Sequence, residues 1–284
     1  AYQLGTGWDI SDRIQRIPFI ASFASFLDDS SAFADLVLPD HSPLESWLDD
    51  IPESGTAQAV MSIAQPAVRP LHNTRAMPDV ILEVARQLGG DFNKALPWRS
   101  YEEVVRGTFG KLHSSYKLAG TEEKAWDEAV GRGGWWNDHT KQAPATPFHR
   151  VEKLAPFGAA FADNLEKRFP FRFLPYPSQL HFDGSLAHLP WLQETPDPLS
   201  TAMWGTWVEM NPETATQLNI QHGDVVEVAS PYGRLQAHVV ITPGIAPDVI
   251  AMPVGQGHAT FTRYASERGA NPLGVVAGGP MGEE

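Results

Sequence analysis

Between residues 17 and 120 the apolar positions fall in short blocks that alternate strand-like runs with a helical period. Residues 17–23 form a short, nearly continuous apolar run of the kind a buried strand shows. Residues 30–34 predict a single helical turn, and residues 35–39 a second buried strand closed by Pro39. Residues 78–90 carry the clearest helical pattern. Pro78 stands in the first turn, Val80, Ile81, Val84, Ala85 and Leu88 make one face, and Gly89 stops the helix. A second helix is expected from Tyr101 to about Phe109. A third, opened by Thr121 before Glu122 and Glu123, is expected to run to about Gly131. Short strands with helices between them predict the end of an open α/β domain over residues 1–119.

The pattern then breaks. Prolines at positions 144, 147, 156, 170, 175, 177, 190, 196 and 198 leave few uninterrupted windows, so residues 120–200 read as an extended connector with one helix at 157–167. From residue 201 the chain is mostly β. Residues 207–210 predict a strand, and Asn211 caps a short helix whose first position is Pro212. Gly223-Asp224 turns into a strand at 225–230, and Pro231-Tyr232-Gly233 turns back into the alternating strand 234–241. A last strand at 248–254 leads into Gly255-Gln256-Gly257-His258. Short strands with frequent turns predict a small barrel over residues 201–284.

Composition narrows the chemistry. The 284 residues carry 21 Lys and Arg against 34 Asp and Glu, a formal net charge of −13, which argues against a nucleic-acid or anionic-membrane binder. Apolar runs stop well short of the roughly 20 residues of a membrane helix, and the start of the chain lacks the pattern of a secretory signal. There is no cysteine, so this chain holds no disulfide, no cysteine nucleophile and no cysteine-ligated iron–sulfur cluster. The chain opens on Ala, which implies either processing or a longer parent.

The 10 histidines are scattered, with no pair at the spacing of a helical metal site. The glycines at 5–7 and 131–134 lack the strand–turn–helix context of a dinucleotide fingerprint, and Glu45 with Asp49 and Asp50 reads as a solvated acidic turn. The segment Gly255-Gln256-Gly257-His258 is more informative. Its glycines let backbone approach a ligand, and Arg263, Tyr264, Arg268 and Asn271 follow. A phosphate-bearing or pterin-like ligand would use that mixture of backbone donors, cations and a side-chain amide. The same segment reads equally as a Gly/Pro-rich loop that ends the domain.

Residues 208–215, 218–228 and 230–233 resemble the C-terminal cap domain of the molybdopterin oxidoreductases, a six-stranded double-psi β-barrel that closes over one pterin guanine dinucleotide. Phe33-Ala34-Asp35-Leu36-Val37-Leu38-Pro39 resembles the "yADvvLP" run of the preceding α/β domain. Pro190-Trp191-Leu192-Gln193-Glu194, Pro196-Asp197-Pro198, Gly257-His258 and 268–273 are similar to the branch of polysulfide-reductase-like subunits and the iron–sulfur subunit of alternative complex III. The resemblance is patchy over 17–120 and strong over 188–275. It implies cofactor contact by Gly255, Gln256, Gly257, His258, Arg263 and Asn271, with no catalytic residue and no metal ligand in this chain. It departs from the pattern at Ala24, where cofactor-binding members commonly carry an Asp that accepts from the guanosine; Asp28 or Asp29 could substitute from the next turn.

The resemblance implies the C-terminal portion of a large subunit in a membrane-associated respiratory electron-transfer complex, bacterial or archaeal and on the periplasmic side. That portion would cap a bis-molybdopterin guanine dinucleotide with molybdenum or tungsten. The partners implied are the N-terminal part of the large subunit, an iron–sulfur subunit carrying the clusters, and a quinone-binding membrane anchor. The alternative is a cofactor-free structural scaffold in a quinol-oxidising complex of the alternative complex III type. A free-standing small-molecule-binding barrel is a third reading, disfavoured because the first 200 residues lack a complete sheet.

Overall fold

The computed structural model describes residues 2–4, 10–53, 58–137 and 167–277. They divide into two compact units. One comprises residues 1–37 and 156–284, the other residues 38–155.

The first unit opens with the short helix α1 (Ile10–Ile14) and two strands, β1 (Ala21–Ser22) and β2 (Leu36–Val37). These pair in parallel, Ala21 opposite Leu36. Only two residues of each predicted run join the ladder, because a 3₁₀ turn at Ser31–Phe33 occupies the crossover. Asp28 shapes that turn: its carboxylate accepts from the backbone N–H groups of Ser30 and Ser31 at 3.0 and 2.7 Å. Burial pushes the Asp28 carboxyl upward, but these bonds hold it below its ordinary value.

The second unit contains an antiparallel sheet that the sequence pattern did not announce. Strands β3 (Leu48–Asp50) and β4 (Val60–Ala64) pair with each other, and β5 (Gly134–Trp136) adds to β4, in the order β3-β4-β5. Between them lie α2 (Met77–Leu88), α3 (Gly90–Ala95), α4 (Tyr101–Tyr116) and α5 (Glu122–Arg132). Met61, Ile63, Val105, Phe109, Trp126 and Ala129 make its core. Ser100 and Thr121 accept from N3 backbone donors at the starts of α4 and α5, and Gly133 ends α5 in the left-handed region. Helix α4 runs seven residues past its expected end at Phe109, to Tyr116, because Gly110 sits inside the helix rather than closing it. In α2 the buried side chains are Leu82 and Ala85, whereas Ile81, Val84 and Leu88 are exposed; periodicity identifies an apolar stripe but not which flank is covered. The acidic cluster is structural: Glu45 completes a capping box with Ser42, and Asp49 accepts from the Tyr101 hydroxyl.

The remainder of the first unit is built on a five-stranded mixed sheet. Strand β6 (Arg172–Pro177) lies inside the stretch expected to be irregular, followed by the short helix α6 (Pro190–Glu194). The helix expected at 157–167 lies outside the described residues except for its last position. Strand β7 (Trp207–Met210), helix α7 (Pro212–Leu218), strands β8 (Val225–Ala229), β9 (Arg234–Ile241) and β10 (Val249–Val254), and the single-turn helix α8 (Thr262–Ala265) follow. The sheet order is β6-β10-β7-β9-β8. β6 runs parallel to β10 and β7 to β9, while the β10–β7 and β8–β9 pairs are antiparallel. Val208, Val228, Ala237, Met252 and Val275 pack on one side, with Met210, Ala215 and Val239 in a second cluster. Asn211 caps α7 by accepting from Glu213 N–H, as its sequence predicts, and Asn219 ends it in the left-handed region. The fold class is therefore mixed α/β.

Candidate functional site

Strand β10 delivers the chain into Gly255–His258, and four other segments of the same unit close around that turn: residues 2–4, residues 28–29, residues 178–193 and residues 266–271. Gly257 is central to this close approach. Its φ is +84°, and a Cβ there would lie 2.0 Å from Asn271 N and 2.2 Å from the Ala270 carbonyl carbon. Only glycine fits such backbone-on-backbone contact. Gly257 N–H donates to Arg268 O at 2.6 Å, and Glu267 N–H donates to His258 O at 2.8 Å.

Below the turn lies a buried amide network. Gln256 and Gln193 are both shielded from solvent, Gln193 completely. Gln256 Nε2 donates to Gln193 Oε1 at 2.7 Å and to His181 Nε2 at 3.1 Å. Gln193 Nε2 donates to Ala187 O at 2.7 Å and to Gln256 Oε1 at 3.2 Å. An amide donor facing His181 Nε2 makes that nitrogen an acceptor and puts the ring proton on Nδ1, which is buried without a partner. Burial, reinforced by nearby His258, lowers the pKa of His181 below that of an ordinary histidine.

His258 is 4% exposed and is held by Asp29 and by the ring of Tyr2. Its Nδ1 lies 2.7 Å from Asp29 Oδ2, and the other Asp29 oxygen accepts from Thr260 N–H at 2.8 Å. The Tyr2 ring stacks on the imidazole with centroids 3.8 Å apart and planes 17° apart. His258 Nε2 is buried with no hydrogen-bond partner. Tyr2 also takes up the polar groups of the turn: Gly255 N–H donates to its hydroxyl at 2.8 Å, and that hydroxyl donates to Gln256 O at 2.8 Å. Asn271 Nδ2 donates to Tyr2 O at 3.0 Å, while Asn271 Oδ1 accepts from Leu273 N–H as an N-cap. Burial raises the pKa of the Tyr2 hydroxyl well above the usual phenol value.

Gly255, Gln256, Gly257, His258 and Asn271 are thus brought together around one planar ring. Arg263 is not: its side chain is exposed, stacks on Tyr264 and donates to the Tyr264 hydroxyl at 2.6 Å. Of the two possible substitutes for the acidic residue missing at Ala24, Asp28 is engaged in its own turn and Asp29 reaches the site through His258. Tyr2, His181 and Gln193 carry no sequence signal beyond their residue types; Gln193 lay within the family-like Pro190–Glu194 segment, but Trp191, the more conspicuous residue, is 62% exposed. Among the described residues no three His, Asp or Glu side chains form a metal-ligating group, and no helix is long and apolar enough to cross a membrane.

Residues 192–279, which include the turn, Asn271 and the strands β7–β10, match the family model of the molydopterin dinucleotide binding domain. Over 97% of its length the chain is 26% identical to the menaquinone reductase, molybdopterin-binding-like subunit, of Nitratidesulfovibrio vulgaris, covering 37% of that protein. Over 95% of its length it is 25% identical to the arsenate respiratory reductase molybdopterin-containing subunit of a Shewanella species, covering 39% of it. The chain is a homologue of the molybdopterin oxidoreductase large subunits, and it spans less than two fifths of the curated relatives it matches. Acetylene hydratase from Pelobacter acetylenicus shares the fold, with a TM-score of 0.65 and 14% identity over 95% of this chain and 38% of that one.

Proposed function

We propose that this chain is the C-terminal portion of a large subunit in a membrane-associated respiratory electron-transfer complex, and that its cap loops close over one pterin guanine dinucleotide of a bis-molybdopterin guanine dinucleotide cofactor. In this reading the five-stranded sheet belongs to a double-psi barrel. The observation that carries it is the convergence of an imidazole face, a backbone N–H, a backbone carbonyl and a side-chain amide on a single residue, Tyr2, whose ring lies on the imidazole. The stacking of the flat Tyr2 ring on His258 supports a place for a planar ring. His258, Gly255 N–H, Gln256 O and Asn271 would hold the ring, and Arg263 offers a cation at the surface nearby in sequence. When bound, the cofactor supplies two-electron redox chemistry at its molybdenum or tungsten. The residues of this chain bind, orient and exclude water.

The rest of the large subunit, an iron–sulfur subunit and a quinone-binding anchor complete the proposed assembly, on the periplasmic face of a bacterial or archaeal membrane. The names of the relatives support such a setting. Ala24 and the engagement of the loop's donors by Tyr2 favour a second reading, a cofactor-free scaffold in a quinol-oxidising complex. Elemental analysis and fluorescent pterin release on the purified native complex separate the two. Stoichiometric molybdenum or tungsten with pterin supports the cap; iron without either supports the scaffold.

A further inference from the structure

Two clefts adjoin the turn, and Tyr2 stands between them. One, of about 420 Å³, is lined by Asp28, Asp29, Asp183, Ser185, His258 and Phe261; the other, of about 410 Å³, by Phe33, Gly257, Thr260 and Asn271. Tyr2, Leu4 and Asp29 border both. Each cleft alone has the volume of a small-molecule pocket. The Tyr2 ring is stacked on His258, and Gly184 packs closely against their edge: its φ is +92°, and a Cβ there would lie 2.8 Å from both Tyr2 Cε1 and His258 Nε2.

We propose that Tyr2 is an internal plug in a ring-binding slot, and that a planar N-heterocycle carrying N–H donors competes with it for His258, Gly255 N–H and Asn271. The inference deepens the cap reading and rests on it for the class of ligand. Its argument is the match between what Tyr2 uses and what the cap loop offers. The tyrosine supplies a flat ring to the imidazole, a hydroxyl that both accepts and donates at the turn, and a carbonyl to the amide. A pterin or guanine presents the same features on one flat molecule. It adds N–H groups that face the carboxylates of the acidic cleft, which Tyr2 only flanks. Those three aspartates oppose a phosphate, so the ring rather than the pyrophosphate enters this side.

Displacing the plug removes a stacked contact and the polar contacts at the turn, and the apparent affinity for a competing ring falls by the fraction of molecules in which the slot is open. The test uses the complete large subunit made in a host unable to synthesise molybdopterin, titrated with neopterin and separately with guanosine. Tyr2→Ala is expected to bind at least one of them on the order of a hundredfold more tightly than the unaltered protein. Tyr2→Phe, which keeps the ring and the packing, is expected to gain on the order of tenfold. In parallel, ethoxyformylation of His258, mapped by peptide mass spectrometry, should accelerate in Tyr2→Ala and be suppressed by the bound ring. Equal ring affinities for all three proteins, or faster His258 modification without any gain in ring binding, would overturn the proposal. A native complex devoid of metal and pterin would refute the cap reading and leave the affinity ratios intact, so the two failures are distinguishable.

Discussion

Replacing Gln193 by leucine tests whether the amide network, rather than the loop's own backbone, holds the site in shape. The substitution is close to isosteric and introduces no cavity. It leaves the Ala187 carbonyl without its 2.7 Å donor and takes from Gln256 both the 2.7 Å acceptor of its Nε2 and the donor to its Oε1. Gln256 Nε2 keeps His181 as a partner, so the polar atoms stranded are chiefly Ala187 O and Gln256 Oε1. Each buried unsatisfied group costs about 1–3 kcal/mol, so a loss of about 2–6 kcal/mol is expected. The double variant Gln193→Leu with Gln256→Leu strands fewer groups than the two single changes together, and a coupling of about 1–3 kcal/mol follows. The assay is denaturant unfolding monitored by tryptophan fluorescence for the four proteins of the cycle. A Gln193→Leu protein within about 0.5 kcal/mol of the unaltered one, or strict additivity, would refute the reasoning.

Gly257→Ala should cost about 3 kcal/mol or more, since the left-handed backbone penalises any Cβ and the atoms it meets are backbone; calorimetric melting of the variant checks this, and an unchanged midpoint would count against the packing described. Burial depresses the pKa of His181, and of His188 likewise, so each folded site binds a proton less readily than the unfolded chain. Their contribution to stability is therefore complete above the ordinary histidine pKa of 6.5 and is lost as pH falls through the lowered folded values. Unfolding midpoints should fall on acidification below that point, and His181→Asn should flatten the slope; an identical slope in the variant would be the contrary result.

Much of the local structure was legible because punctuation residues stand where the physics needs them. Pro78 and Gly89 bound α2, Thr121 opens α5, and Asn211-Pro212 opens α7. Strand β6 was hidden for an instructive reason. Pro175 and Pro177 argue against a strand in a sheet interior, but β6 lies at the sheet edge and, among the described residues, pairs with β10 alone, so the missing N–H groups face no second described strand. Pro253 is tolerated in β10 because β7 pairs only with Ile250 and Ala251. The sheet β3-β4-β5 escaped notice because its strands are three to five residues long and β5 pairs across more than 70 positions of sequence. At the site, the glycines and His258 were legible from residue type and position, whereas Tyr2 and Gln193 were not. A lone aromatic and a lone amide declare nothing until the chain is folded, since their partners lie 254 and 63 residues away.

The separation between Asp29 and His258 is 229 residues, and between Tyr2 and Gln256 it is 254. All of residues 38–155 must be synthesised between the two halves of the first unit. At about 5–20 residues per second, Tyr2 and Asp29 wait on the order of ten to fifty seconds for the strand β10 and the turn that they complete. During that interval the second unit can finish folding, whereas the first still lacks its strands from β6 onward. The turn around His258 is consequently among the last of the described parts to close, and in the proposed reading a ligand ring meets a tethered tyrosine there only once β10 has emerged.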